Sequence, residues 1–138
     1  MNEPVINSIS NLRPEHFTAA VQWISKLSGP DGWNLTTKEV ARLLGIESAT
    51  FSEMQRKALH GQPVVLTSDT IERLSLLLQI SDALNLFAPH QRQDLALQWF
   101  SKATTNPTFN NKSIKGFLLE SNTVESFCKV ITYLRAQH

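Results

Sequence analysis

The chain has 138 residues, 41% of them hydrophobic, which suits one compact domain or two small ones and argues against disorder. Thirteen basic residues against twelve acidic ones leave a net charge of +1, balanced in both halves, whereas strong nucleic-acid binders usually carry a visible basic excess. No apolar run approaches the roughly 20 residues of a membrane span, and a single cysteine, Cys128, excludes an internal disulfide. The start, MNEPVINSISNLRPEH, lacks the basic and apolar stretches of a secretory signal, so a reducing cytoplasm is the expected compartment.

Residues 1–12 show no periodicity, and the stretch 1–14 reads as a flexible or loosely docked arm that ends at Pro14, which is well placed to open a helix. Phe17, Val21, Ile24 and Leu27 then repeat at helical spacing, widened by Ala20 and Trp23. SGPDG (28–32) stops that helix, and Trp33 and Leu35 precede the next one as a hydrophobic staple.

The stretch Thr36–Lys57 reads as two short helices across a tight turn. Thr36 and Glu39 have the spacing of a capping box, and Val40, Leu43 and Leu44 form the apolar stripe. Gly45 ends the first helix, Ile46 is expected as a buried anchor, and Glu47 and Ser48 open the second. Phe51 and Met54 are expected to point into the core. Small Ala41, Gly45 four residues on and Phe51 ten residues on give the spacing of a DNA-binding helix-turn-helix.

On the second helix, Ser48, Thr50, Ser52, Gln55 and Arg56 are candidate DNA contacts. Gln pairs with adenine, Arg with guanine, and hydroxyls serve phosphates or bases. Lys38, Arg42 and Lys57 are candidate backbone contacts. Glu47 and Glu53 oppose this reading, because carboxylates are repelled by phosphates unless one reads a cytosine amino group.

Gly61 and Pro63 break the chain after Lys57, and Ser68 starts a helix with Asp69 and Glu72 in its first turns. No breaker follows until Pro89. This helix of about 20 residues, apolar around much of its girth, reads as a spine joining two halves. Leu95, Ala96, Trp99 and Phe100 mark the buried face of the next helix. A polar loop, TTNPTFNNKS (104–113), contains Pro107 and Phe109. Ile114, Phe117 and Leu118 mark a short helix, and Asn122 or Thr123 caps a last one carrying Val124, Phe127, Ile131 and Leu134. Cys128, beside Phe127 and Val130, is expected as buried filler. Trp33 and Phe109 are either plugs between helices or exposed anchors for a partner.

Nothing alternates at period two, so the fold class is all-α. No zinc-ligand spacing, phosphate-cradling glycine loop or nucleophile elbow is present, and neither an enzyme, a metal nor a cofactor is expected.

The run IERLSLLLQISDALNLF (71–87), then LALQWFSKATTNPTFNNKSIKGFLL (95–119), then VESFCKVITYL (124–134) resembles the Xre/MbcA/ParS family of antitoxins. The most specific part is the spacing from Trp99 to Asn106-Pro107, Phe109 and Leu118. This chain has Phe100 where that family usually has leucine, Asn111 where glycine is common and Ile114 where proline is common. Ser121-Asn122 stands where a glycine is expected between the last two helices.

The resemblance implies a type II antitoxin, with a helix-turn-helix DNA-binding and dimerisation domain over 15–84 and a toxin-binding domain over 85–138. The first would repress its own operon at operator DNA, as a dimer or a larger toxin–antitoxin complex. The second would cover the NAD pocket of a RES-domain toxin. On that basis Asn106, Phe109, Lys112, Lys115, Tyr133, Arg135 and His138 are the candidate toxin contacts, with Arg135 as a side chain that enters the pocket. The alternatives are a stand-alone regulator whose C-terminal half only oligomerises, and an interaction module without DNA affinity.

Overall fold

The computed structural model describes residues 13–88 and 92–137, apart from the side chains of Phe87 and Gln93. Among the described residues the chain is all-helical. The helices are α1 (Pro14–Leu27), α2 (Thr37–Leu44), α3 (Ser48–Leu59), α4 (Ser68–Phe87), α5 (Gln93–Ser101), α6 (Ile114–Ser121) and α7 (Val124–Arg135), with a 3-10 turn at Pro107–Phe109. None of these helices is long and apolar enough to cross a membrane.

Two compact units divide the chain, Met1–Ser75 and Leu76–His138. The division falls inside α4, after Ser75; the boundary expected from the sequence, between residues 84 and 85, lies further along the same helix.

In the N-terminal unit, α1 and α2 both pack on α3. The chain then folds back over the end of α1. Trp33 N–H donates to the Leu27 carbonyl at 2.6 Å and Leu35 N–H to that of Ser28 at 2.9 Å. This return buries Trp33 and Leu35 and sets Trp33 edge-on to Trp23, with ring centroids 6.3 Å apart. Trp33 is therefore a plug, not an exposed anchor. Gly32 is required there, since a Cβ would lie 2.0 Å from the Leu27 carbonyl oxygen.

The capping box is formed: Glu39 N–H donates to Thr36 Oγ1 at 3.1 Å, and Thr36 N–H donates to Glu39 Oε1 at 2.9 Å. Gly45 takes φ +73°, so that its own N–H reaches Arg42 and the Ile46 N–H reaches the Ala41 carbonyl at 3.0 Å. Ala41 and Phe51 are buried in the corner, while Ile46 and Met54 are only half-buried, short of the expected core positions.

Two groups on α4 complete the end of α2. Thr70 Oγ1 donates to the Leu44 carbonyl at 3.2 Å and Arg73 to that of Leu43 at 3.3 Å, which satisfies carbonyls the helix leaves open. The cap of α4 is Thr67, whose Oγ1 accepts the Thr70 N–H.

In the C-terminal unit, α6 packs on both α5 and α7. Leu77, Ile80, Leu84, Phe100, Leu118, Phe127 and Val130 are all buried. Thr123 caps α7 by accepting the Ser126 N–H at 3.1 Å, while Asn122 ends α6 at φ +49°. The capping alternative therefore resolves to Thr123, with Asn122 serving the preceding helix. Cys128 is exposed, against the expectation of buried filler, and Trp99 is half-buried where a core position was expected. Leu86, near the end of α4, is 75% exposed.

Candidate functional site

Two surfaces carry the candidate residues, one on each unit. On the N-terminal unit, Lys38 and Arg42 are exposed on α2, and Thr50, Ser52 and Arg56 are exposed on α3; Ser48, Gln55 and Lys57 are half-buried. Gln55 and Arg56 are among those already engaged. Gln55 is turned toward α1 and donates to Ser25 Oγ at 3.1 Å. Arg56 is clamped by Glu53 one helical turn away, with Nε 3.1 Å from Oε1 and Nη2 on Oε2. That hydrogen-bonded pairing holds the Glu53 carboxyl below its ordinary range and raises the Arg56 guanidinium. The clamp is exposed and sets a negative charge directly against one of the two candidate base readers.

Between α1 and α3 lies an open groove of about 630 Å³, with Lys26, Ser52, Gln55 and Arg56 among its lining residues and Leu59, 80% exposed, at its edge.

On the C-terminal unit the loop 104–113 is built by its own side chains. Thr104 Oγ1 donates to the Lys112 carbonyl at 2.9 Å and accepts the Asn106 N–H at 3.1 Å. Asn106 Oδ1 caps the 3-10 turn by accepting the Thr108 N–H at 2.9 Å, and its carbonyl accepts from Phe109 and Asn111. Asn110 and Asn111 follow at φ +54° and +61°, conformations that asparagine tolerates better than most residues. The loop thereby swings Phe109 inward. Its ring is buried, 5.6 Å from that of Phe117 and 5.0 Å edge-on from that of Tyr133. Phe109 too is a plug.

Beside it opens a cleft of about 300 Å³. Asn106, Phe109 and Tyr133 line it, together with Trp99, Lys102 and Thr105. Three of the seven candidate toxin contacts thus meet in one place, although they are spread over loop and helix in the sequence. Lys112 stands apart, 3.7 Å from Glu120, and Lys115 is half-buried on α6. His138 lies outside the described residues. Trp99 and Lys102 escaped the sequence reading as site residues. Trp99 falls on an apolar stripe that periodicity assigns to the core, and Lys102 belongs to no motif.

Arg135 is anchored on its own unit. Its Nη2 donates to Gln79 Oε1 of α4 at 3.1 Å, which ties the end of α7 down. Asp82, one turn further along α4, is exposed at the surface, yet partial desolvation pushes its carboxyl up from the ordinary range, an effect that the nearby Arg135 charge only partly offsets. The neutral form is therefore favoured by folding, so its stabilising contribution is full at low pH and is lost as pH rises through the elevated value. Asp82→Asn is expected to raise the melting temperature at pH 7 by about 1–2 °C. The gap from wild type should close as the pH is lowered through the carboxylate range in thermal melts followed by circular dichroism. A lowered melting temperature at pH 7 would mean that attraction to Arg135 outweighs burial.

Among the described residues, no group of three or more His, Cys, Asp or Glu side chains is arranged to hold a metal. A scan against protein-family models, a search of curated proteins and a search of solved structures found no match to this chain.

Proposed function

We propose that the chain is an antitoxin of the Xre/MbcA/ParS kind, with an operator-binding helix-turn-helix in its N-terminal unit and a surface for a RES-domain toxin in its C-terminal unit. The observation that carries this reading is conformational. At three of the places where the sequence departs from that family's usual residues, the backbone keeps the geometry those residues serve. Asn111, in place of glycine, is left-handed at φ +61°, and so is Asn122 at φ +49°. Ile114, in place of proline, is the first residue of α6 behind its Ser113 cap, where proline is well accommodated. The departures change residue type without changing what the backbone must do. The capped corner of α2 and α3, with Ala41, Gly45 and Phe51 in place, supports the DNA-binding half.

In this reading the cleft and the loop 104–113 form the toxin-facing surface. The bond from Arg135 to Gln79 favours an anchoring role for that guanidinium over insertion into a toxin pocket. Co-expression with the product of the neighbouring open reading frame tests the proposal. Rescue of growth and a stable complex are expected; the absence of both removes the toxin-binding claim. Deleting residues 136–138 should leave neutralisation intact. Its loss would return the blocking role to the tail.

The clamp of Glu53 on Arg56 and the engagement of Gln55 favour a second reading, an interaction module with little DNA affinity of its own. Mobility shifts with the upstream DNA at low salt, where phosphate contacts are strongest, separate the two. Binding that gains from Glu53→Gln supports the operator reading. Binding absent from both forms, even with toxin added, supports the module.

A further inference from the structure

The cleft of the C-terminal unit has the size and lining of a small-molecule site. Its volume of about 300 Å³ matches the lower end of ligand pockets, which run from ~300 to 1,000 Å³. Part of its lining is apolar and well packed: Leu84, Ile114, Leu134 and Phe109 are all buried, and the Phe109 ring contacts those of Phe117 and Tyr133. Trp99 and Tyr133 add two half-buried aromatic rings. The rim is polar, and its loop is pinned by the Thr104 bonds to Lys112 and Asn106, so the cleft is already shaped before anything enters.

Charge narrows the ligand. Among the described residues lining the cleft, Lys102 is the one that carries a charge, and none is a carboxylate. Thr105, beside it in the lining, is exposed. An aromatic body with a single negative charge complements this arrangement, and a cation does not.

We infer that the cleft binds a small aromatic carboxylate, with its ring against Trp99, Tyr133 and the aliphatic wall and its carboxylate paired with Lys102. The space suits one ring-bearing molecule. A longer peptide segment bound as an added strand would need a sheet edge, and the described residues form no strand. The inference does not rest on the antitoxin reading, because it requires neither toxin nor DNA.

Titration of the full chain with indole-3-acetate, indole and tryptamine, followed by amide and indole N–H chemical shifts, tests it. Indole-3-acetate should saturate at millimolar concentration or below and move the signals of Lys102, Thr105, Asn106 and the Trp99 side chain. Neutral indole should bind about three- to fivefold more weakly, the scale of one solvent-exposed ion pair, and tryptamine more weakly still. Lys102 is exposed, so Lys102→Gln should fold normally, and it should bring indole-3-acetate and indole to within about twofold of each other. Shifts that do not saturate, tryptamine matching indole-3-acetate, or perturbations centred on the N-terminal unit would each overturn the site. A short peptide ending in tryptophan that binds more tightly than indole-3-acetate would overturn the small-molecule assignment in favour of a polypeptide terminus.

Discussion

Phe109→Ala is expected to destabilise the C-terminal unit by about 3–5 kcal/mol, the range for emptying a buried phenylalanine site. The ring is 2% exposed and makes an edge-on pair with Tyr133 and a tilted pair with Phe117. Such pairs add roughly 0.5–1.5 kcal/mol beyond the buried area. The backbone around it cannot collapse easily, because Asn106 caps the turn on one side and two left-handed asparagines follow on the other. Phe109→Leu, which keeps most of the volume, should cost only about 1–1.5 kcal/mol. Denaturant unfolding followed by far-ultraviolet circular dichroism measures both. Native stability in Phe109→Ala, coupled with loss of a binding partner, would reinstate the residue as an exposed anchor.

Gly32→Ala is expected to cost about 2–4 kcal/mol in the N-terminal unit, on the scale of forced backbone displacement. The new methyl would be 2.0 Å from the Leu27 carbonyl oxygen and 2.8 Å from its carbon, contacts that no side-chain rotation relieves. That carbonyl accepts the Trp33 N–H at 2.6 Å, so moving it loosens the return of the chain onto α1. The readout is specific. The Trp23–Trp33 pair, 6.3 Å apart, should lose near-ultraviolet circular dichroism along with the fall in stability. Gly29→Ala is the control, since its nearest contact would be 3.3 Å from the Lys26 carbonyl oxygen. A cost below about 1 kcal/mol, it should leave the tryptophan signal unchanged.

Helix positions and their caps were legible because they depend on neighbours three and four residues away. The Thr36–Glu39 box, the left-handed Gly45 and the buried Phe51 all follow from local chemistry. Burial at the margins of a stripe was not legible. Residue 128 lies about 100° round the helix from Phe127, outside the set formed by residues 127, 130, 131 and 134, and its apolar neighbours in sequence concealed that. Trp99 lies on the correct face of α5 but near its end, where periodicity does not reveal how much protein remains to cover it. A division within α4 was legible from its role as a spine, but its position was not, since the helix contains no glycine or proline between Ser68 and Phe87. For the candidate site, Asn106, Phe109 and Tyr133 could be named from the chain. That they share a cleft depended on the loop's inward turn, which is set by hydrogen bonds between residues up to eight apart. The commitments of Gln55 and Arg135 needed partners that no spacing rule identifies, whereas the Glu53–Arg56 clamp, three residues apart on one helix, lay within reach of one.

The exposed thiol of Cys128 has a practical bearing on how this protein is handled. As the only cysteine in the chain, it offers one attachment point for a maleimide dye or spin label on α7, with no engineered substitution. It also lets two copies join through a disulfide as air oxidises the sample. Sedimentation or gel-filtration measurements made without reductant would then count a chemical cross-link as self-association. Comparing samples with and without a phosphine reductant separates the two.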